Sequence, residues 1–340
     1  MIRVTAPGRA GLIGNPTDGY GGSLVCCSIK ERAEVTIEPA DQLIIENRFG
    51  QTTLKWENDF NNQGDYFDIV RCILRYFKLY HLKAKITTTT TIPEQAGLAG
   101  STAVLAAVLS AITAYAGQRY HSYHLAELNR IIELNYMKCH CGYQDAYMTT
   151  FGGLNFLDFR GKEYYKQLEK EQYATVEPIG QFVTEIPIIV AHTGVKHHSG
   201  QFHKPLRDRW LEGDSEVVNA YKQIIDISRE GKKAIINNDW DTLARLMNIN
   251  HEIQDSLQSS GEQNSYMIKV AKANGAQAAK LAGAGGGGTI IALSYEPERT
   301  KEALLAAGAE CFLELDPGAS GVTVEYIGEE AQRRVVATGE

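Results

Sequence analysis

The sequence has little of three things that would each assign a chain to a particular class of protein. Six cysteines in 340 residues are too few and too scattered for a disulfide framework. No segment reaches about 18 uninterrupted apolar residues, so we expect no membrane-spanning helix. Positive charge is not in excess, because 34 Lys and Arg face 41 Asp and Glu and the net charge is −7 at pH 7. That balance argues against a nucleic acid or an anionic membrane as the main partner.

The remaining bulk properties are those of an ordinary globular protein. Hydrophobic residues make up 44% and charged residues 22% of the chain, and 340 residues suit one large domain or two smaller ones. We take Glu177–Gln181 as the boundary and predict two domains, 1–180 and 181–340. The N-terminal segment MIRVTAPGRAG has no signal-peptide apolar core, which predicts a cytoplasmic protein.

Two segments resemble binding motifs without completing them. Cys139-His140-Cys141 has the spacing of half a zinc site, but no second ligand pair matches it, so we favour reduced, structural thiols over a metal. The spacing Gly283-x-Gly285-x-x-Gly288 formally fits a dinucleotide fingerprint. A strand rather than a helix is predicted after it, so it fails the structural context of that motif.

The segment ITTTTTIPEQAGLAGSTAVLAAVLSAITAYA organises the rest of the chain. Its β-branched start, Ile86–Ile92, predicts a strand that Pro93 ends. Gly97 and Gly100 predict a flexible loop. The stretch Ala103–Ala116 then predicts a helix that is apolar on nearly every side and is therefore buried.

A strand, a glycine loop and a helix start in this order predict an anion site. Backbone N–H groups and the positive end of the helix dipole converge there, and Ser101 or Thr102 would cap the helix. The Ser101 hydroxyl is also a candidate ligand for a magnesium ion that bridges phosphates. No Lys follows Gly100, so the segment is not a Walker loop. A capped core helix after a tight turn is the alternative interpretation.

The first forty residues predict a glycine-rich turn between short strands. The segment APGRAGLIGNPTDGYGG has to turn tightly and leave room beside the backbone, and it presents four polar side chains: Arg9, Asn15, Thr17 and Asp18. After it, Leu24–Ile29 and Ala33–Glu38 predict two separate strands. We expect the glycine-rich segment to line a pocket rather than form a plain loop.

Two acidic residues lie in predicted helices. Glu133 is at the edge of the apolar stripe of Leu125–Met137, where a carboxylate is usually only a solvated flank. Asp145 falls in the first turn of a helix predicted from CGYQDAYMTTFGG, where it also complements the helix dipole. Each residue therefore has an ordinary structural interpretation beside a functional one.

A basic segment follows the predicted strand Ile186–Ala191. In an acidic chain, HTGVKHHSGQFHKPLRDRW places Lys196, Arg207 and Arg209 close together. Such a cluster is most often a solvated loop, but here it is also a candidate for binding an anion.

Three glycine-bearing segments, APGRAGLIGNPTDGYGG, IPEQAGLAGSTA and LAGAGGGG, resemble the three motifs of the GHMP kinases and occur in the same order. CGYQDAYMTTFGG resembles the catalytic segment of the sugar-1-kinases in that family. LIGNPTDGYGG, RDRWLEGD and LMNINHEI are similar to the glucuronokinase branch. The resemblance spans most of the chain.

This resemblance implies an α+β fold and an ATP-dependent reaction. The family has an N-terminal α/β domain like the second domain of ribosomal protein S5, a C-terminal ferredoxin-like α+β domain, and its site between them. It transfers the γ-phosphoryl group of ATP to a hydroxyl of a small molecule, and the branch implies the anomeric hydroxyl of D-glucuronate. The implied cofactor is Mg²⁺ and the implied partners are ATP and a sugar or uronate, without nucleic acid or membrane. We expect a monomer or a homodimer.

The resemblance also assigns roles to residues at the nucleotide. Its ATP phosphate loop falls on Gly97, Leu98, Ala99, Gly100, Ser101 and Thr102. Ser101 and Glu133 match the magnesium ligands of the family. Asp145 matches the catalytic aspartate, which would accept the sugar hydroxyl proton, and Arg9 matches the arginine beside it.

Other matches concern the sugar. Asp18, Gly285 and Gly286 match positions that bind or close over the substrate. The carboxylate of a uronate also needs a cation, for which Lys196 and Arg207 are our candidates. Trp56 is one candidate for stacking on the adenine.

The chain departs from the family at two places. Many members have Glu-His at Asn15-Pro16, and several have a serine at Gly100. The first difference puts a direct transfer of galactose contacts in doubt. A galactokinase-like or heptose-phosphate kinase, or a sugar sensor without catalysis, are therefore the alternative functions.

Overall fold

Two β-sheets with helices packed on them form the protein. The structure is a computed structural model that describes residues 1–162, 172–195, 199–285 and 288–328, and of 199–204 it describes the backbone alone. Within these residues, no helix is both long and apolar enough to cross a membrane.

The described part of the chain forms twelve strands and nine α-helices. The strands are β1 (Ile2–Ile13), β2 (Ser23–Pro39), β3 (Leu43–Asn47), β4 (Gly50–Leu54), β5 (Ala84–Thr90), β6 (Leu154–Asp158), β7 (Thr175–Pro178), β8 (Ile188–His192), β9 (Ala276–Leu281), β10 (Thr289–Ser294), β11 (Cys311–Leu313) and β12 (Thr323–Tyr326). The helices are α1 (Asp68–Phe77), α2 (Gly100–Tyr115), α3 (Ser122–Asn135), α4 (Gln144–Phe151), α5 (Ser199–Leu211), α6 (Ser215–Ile236), α7 (Trp240–Ser256), α8 (Glu262–Ala273) and α9 (Pro297–Ala306).

The first sheet carries the strands of the N-terminal half. Its order is β12-β1-β2-β5-β3-β4, and β6 pairs with the start of β2 while β7 pairs with β6. Strands β3 and β5 are parallel, and the other pairs are antiparallel. Helix α2 lies against β1 and β2, so the predicted apolar helix is buried in the middle of this half.

The second sheet has the order β11-β8-β10-β9, and its pairs are antiparallel. Counted along the chain, these strands take the spatial order 4-1-3-2. Helices connect the first strand to the second and the third to the fourth, which is the βαββαβ arrangement of a ferredoxin-like unit. The C-terminal half therefore has the ferredoxin-like α+β topology that the sequence resemblance implied.

The two halves share a core and a strand. One hydrophobic cluster contains Val4 and Leu12 of the first sheet together with Val190 and Ile291 of the second. Strand β12 returns to the first sheet, where Val324 pairs with Val4. The division 1–180 and 181–340 stays a prediction, and a boundary drawn there leaves β12 hydrogen-bonded to the other half.

The first two strands are longer than predicted. Strand β1 continues through the glycine-rich segment to Ile13, where a turn was expected, and β2 is one strand from Ser23 to Pro39 rather than two. The glycines of β1 let neighbours approach closely, since a Cβ at Gly8 would lie 2.8 Å from Ile29 Cδ1. The polar residues at 30–32 looked like a break, but their side chains are not buried, and β1 pairs with Ser28 and Arg32 on either side of a register irregularity.

The start of helix α2 also differs from the prediction. Neither Ser101 nor Thr102 caps it, because the helix already begins at Gly100. Ala99 is the N-cap residue, with φ 61° and ψ 29°, and its carbonyl accepts a hydrogen bond from Ala103 N at 2.8 Å. An Ala in the left-handed region is strained by about 1 kcal/mol, and its methyl side chain cannot cap the free N–H groups.

Candidate active site

A cleft of about 750 Å³ brings together the three glycine-bearing segments. Its walls include β1, the loop before α2, the α3–α4 connection and the turn after β9. The predicted residues that line it are Arg9, Asp18, Gly97, Leu98, Ala99, Gly100, Ser101, Thr102, Glu133, Asp145 and Gly285. The sequence therefore named residues from four distant segments that share one cavity.

The N-terminus of α2 opens into this cleft. Its first-turn N–H groups have no side-chain cap, and Gly97, Gly100 and Ser101 all line the cavity. Free N–H groups at the positive end of a 16-residue helix are the standard features of a phosphate-binding site. Gly97 has φ 74°, a conformation that favours glycine, so the loop can bend around a bound group.

Arg9 and Asp145 form a pair in the wall of the cleft. The Arg9 Nε donates to Asp145 Oδ1 at 2.7 Å, its Nη2 lies 2.5 Å from the same oxygen, and Nη1 donates to the Gly97 carbonyl at 2.6 Å. Burial alone would lower the pKa of Arg9, but the charge of Asp145 raises it, so the guanidinium stays charged. The side chain of Asp145 is 28% exposed and can meet a substrate.

Asp18 holds the helix that carries Asp145. Its Oδ2 accepts hydrogen bonds from Tyr143 N at 2.6 Å and from Gln144 N at 2.8 Å, at the start of α4. A Cβ at Gly142 would lie 1.8 Å from this oxygen, so the contact requires glycine there. Asp18 is only 8% exposed but lines the cleft, and its predicted contact with sugar hydroxyls stays a prediction.

Glu133 is a buried carboxylate at the edge of the phosphate loop. Its Oε1 accepts a hydrogen bond from Thr102 Oγ1 at 3.1 Å, and the Cys141 thiol donates to it as well. Burial raises the pKa of Glu133, and the negative charge of Asp145 raises it further. The solvated-flank interpretation of Glu133 is therefore wrong, because α3 turns this side chain toward the cleft.

The oxygen donors at this corner fit a magnesium ion. Glu133 is a buried carboxylate whose ionised form would be stabilised by a nearby cation. Ser101 is exposed at the start of α2, so its hydroxyl can reach a ligand. Mg²⁺ prefers oxygen ligands, and proteins usually supply one or two carboxylates while phosphates and waters complete the shell. The described residues contain no group of three or more His, Cys, Asp or Glu that could hold a metal ion.

The third glycine segment packs against the phosphate loop, since a Cβ at Gly283 would lie 3.1 Å from the Gly97 carbonyl oxygen. Asn15 Nδ2 donates to the Gly283 carbonyl at 2.6 Å, which joins this segment to the first one. Gly285 has φ 122°, and a Cβ there would lie 1.9 Å from the Ser259 carbonyl oxygen. Gly286 and Lys196, two predicted sugar-binding residues, lie outside the described residues.

Two of the predicted cations are engaged by side chains. Arg207 Nη1 lies 2.6 Å from Nδ1 of His140, a residue of the cleft, and Arg207 also pairs with Asp208 at 2.7 Å. Arg209 instead bonds Asp214 at 2.6 Å and a second acidic residue at the start of α6. Arg207 thus reaches the cleft wall through His140, while Arg209 serves the end of a helix.

An aromatic pair that was not predicted from the sequence lines the cleft. Phe49 and Tyr66 stack with ring centroids 4.2 Å apart and planes 12° apart, and the Arg48 guanidinium lies 4.8 Å from the Phe49 centroid. Both rings line the cavity and are about half exposed. Trp56 is 74% exposed and is not among the lining residues. Phe49 lies at the tip of the β3–β4 hairpin. An aromatic residue at a turn was the sequence signal that could have indicated a binding surface there.

Comparisons with known proteins identify the class. The pattern of the GHMP kinases N terminal domain matches residues 68–153, and that of the GHMP kinases C terminal domain matches residues 232–312. Glucuronokinase 1 of Arabidopsis thaliana is 28% identical over 308 residues, covering 82% of this chain and 81% of that protein. A galactokinase of Thermotoga neapolitana is 24% identical over 337 residues, with coverages of 92% and 95%.

Solved structures have the same fold. A D-glycero-D-manno-heptose 1-phosphate kinase from Bacteriodes thetaiotaomicron aligns with a TM-score of 0.72 at 22% identity, over 97% of this chain and all of the other. The Lactococcus lactis galactokinase complexed with galactose aligns with a TM-score of 0.77 at 16% identity, over 95% of both chains. The chain belongs to the GHMP kinases and is an ATP-dependent sugar phosphotransferase with the α+β fold of that family.

Proposed function

We propose that this kinase is a glucuronokinase that converts D-glucuronate and ATP to D-glucuronate 1-phosphate and ADP. One observation carries the proposal of catalysis: the Arg9–Asp145 pair lies in the same cleft as the uncapped N-terminus of α2. The choice of sugar is supported by LIGNPTDGYGG and RDRWLEGD and by the glucuronokinase relatives at 28% identity.

The proposed step is a direct displacement at the γ-phosphorus. The anomeric oxygen forms a bond to phosphorus, the bond to the β,γ-bridging oxygen breaks, and ADP leaves. Asp145 accepts the hydroxyl proton, and Arg9 holds its carboxylate in position. Phosphoryl transfer depends mainly on positioning and charge neutralisation, which these two residues and the α2 amides supply.

The phosphates of ATP would lie at the start of α2. Each hydrogen bond from a backbone N–H of Gly97–Thr102 to a charged phosphate oxygen contributes about 1.5–3 kcal/mol. Glu133 and Ser101 would hold Mg²⁺, which neutralises phosphate charge when bound. The adenine would occupy the other end of the same cavity, where the Phe49–Tyr66 pair offers an apolar stacking surface.

The sugar carboxylate would be recognised by Arg207 and His140. A guanidinium only donates hydrogen bonds, so His140 Nδ1 must accept, and the neutral ring then carries its proton on Nε2. The Arg207 charge beside the cleft wall suits a carboxylate. Lys196 stays a second candidate, and Asp18, Gly285 and Gly286 would contact the sugar hydroxyls or close over them.

A substrate panel tests the proposal. Purified protein with ATP and Mg²⁺ is given D-glucuronate, D-galacturonate, D-galactose or a heptose phosphate, and ADP and the sugar phosphate are both measured. We expect D-glucuronate to have the highest kcat/KM. Turnover of galactose or a heptose phosphate without any uronate would assign the second candidate function, which the galactokinase and heptose kinase structures favour. Sugar binding without ADP formation would indicate a sensor.

Three further predictions accompany this function. We expect the protein to act as a monomer or a homodimer in the cytoplasm, and we retain the two-domain division at residue 180. Sedimentation at two protein concentrations would distinguish a monomer from a dimer.

A further inference from the structure

A buried lysine lies behind Asn15, a residue of the cleft wall. Lys280, on β9, has no exposed surface. Its Nζ donates to Asn15 Oδ1 at 2.7 Å and to the Leu281 carbonyl at 2.6 Å. Both acceptors are neutral, and no carboxylate of the described residues pairs with this lysine. A charge buried in this way is unfavourable, so its retention needs an explanation.

The groups around Lys280 do not compensate its charge. Burial disfavours the charged amine most, the Cys26 thiol from β2 favours it, Arg9 from β1 repels it, and His251 of α7 is influenced by it in turn. The residue paired with it on β10 is apolar, and Lys272 of α8 acts on His251. Burial lowers the pKa of Lys280 to about 7. The amine therefore changes its charge near neutral pH.

Asn15 connects this lysine to the cavity. Because Lys280 occupies Oδ1, the amide is oriented with Nδ2 toward the Gly283 carbonyl, at 2.6 Å. The Asn15 carbonyl accepts a further bond from Asn250 Nδ2 at 3.1 Å. Asn15 itself lines the cleft, so a single hydrogen-bonded residue links the Lys280 amine to the cavity.

We infer that Lys280 is a specificity-determining residue, which acts through Asn15 as a positive charge behind the sugar and favours a negatively charged sugar. This rests on the proposed function. A carboxylate at position 15 would cancel the charge, and this chain has an amide there. The charge does not attract a neutral sugar. It attracts a uronate even without direct contact, because electrostatic attraction persists over several ångströms in a protein interior.

The test compares two sugars of nearly equal shape. D-Glucuronate and the neutral D-glucuronamide are assayed with the same ATP and Mg²⁺, and the ratio of their kcat/KM values is followed from pH 6 to pH 9. The sugar carboxylate is ionised throughout this pH range, so a change in the ratio reports the titration of a group of the protein. For the wild type we expect the preference for D-glucuronate to fall by about tenfold as Lys280 loses its proton.

Variants separate the charge from the packing. In Lys280→Met the preference for D-glucuronate should be low and independent of pH. Lys280→Arg keeps the positive charge, so its preference for D-glucuronate should stay high up to pH 9. Asn15→Asp leaves the lysine in place but pairs it with a carboxylate, so the preference should fall without loss of Lys280. Each ratio is measured on one variant, which cancels general losses of activity, and thermal unfolding confirms that the variant is folded.

The inference is overturned if Lys280→Met and Asn15→Asp both keep the wild-type ratio and its pH dependence. If the wild type uses only neutral sugars, the proposed function fails instead. The same ratio, measured for the accepted sugar and its uronate, then still reports whether Lys280 discriminates charge.

Discussion

The proposed nucleotide end and the proposed sugar end of the cleft are formed by different kinds of group. At the proposed nucleotide end, the groups that would face a phosphate are backbone N–H groups from one short loop and the first turn of α2. At the proposed sugar end, side chains from distant parts of the chain meet, among them Asn15, Asp18, His140 and Arg207. The first end depends on backbone conformation and the second on the identity of each side chain.

This difference explains why one fold can serve several sugars. A backbone site binds the phosphates of ATP whatever side chains surround it, so it can stay the same while the substrate changes. In a site formed by side chains, a single substitution can change which ligand is preferred. We therefore expect substitutions at the sugar end to change the preferred substrate, and substitutions at the junction of the two ends to stop the reaction.

The largest effect is expected at that junction. Asp145→Asn removes the proton acceptor but keeps the size of the side chain, so kcat should fall by at least about 100-fold. Nucleotide binding, measured by calorimetry, should be retained because the α2 amides are unchanged. Near-normal turnover would remove Asp145 from its proposed role.

Glu133→Gln should lower activity and raise stability together. Burial raises the pKa of Glu133, so its ionised form destabilises the free protein above its ordinary pKa, and the amide removes that cost. Without nucleotide we expect Tm at pH 7 to rise by roughly a few degrees, and the gain to vanish toward pH 4. Activity should fall by about tenfold or more and need more Mg²⁺. A lower Tm at pH 7 would contradict this account.

Arg207→Met should affect the sugar alone. Loss of a charge-assisted contact predicts a rise of about tenfold in KM for D-glucuronate, with KM for ATP unchanged. Arg209→Met is the matched control, because Arg209 is bound to Asp214 and Glu216 at the start of α6 and its loss should leave both KM values unchanged. Equal effects of the two substitutions would show that the basic segment acts by its overall charge.

The smallest effect is expected at the cap of α2. Ala99→Gly relieves the left-handed strain of Ala99, with φ 61°, and should change the free energy of unfolding by about +0.5 to +1 kcal/mol. Its effect on KM for ATP should be small, because the amides keep their positions. Chemical denaturation measures the first quantity, and a loss of ATP affinity would show that the strain serves binding.

Much of the fold was predictable because it depends on local patterns. The β-branched run before Pro93 gives β5 and the apolar run after the loop gives α2, close to the predicted bounds. Predictions failed where a neighbouring element overrode the pattern. Strand β2 continues past its charged residues because β1 pairs with it on both sides of the register irregularity there. The alanine-rich β9, which was not predicted, is held between β10 and α7.

The sequence alone determined the order and spacing of the glycine motifs and the acidic, cysteine-poor composition. It also determined the residue types at Arg9, Asp145 and Ser101. Tertiary structure decided which of these residues meet. Arg9 and Asp145 are 136 positions apart, and Lys280 and Asn15 are 265 apart. Burial and distance arise only when such segments pack together, so the charge of Glu133, the capping role of Asp18 and the isolation of Lys280 are properties of the folded chain.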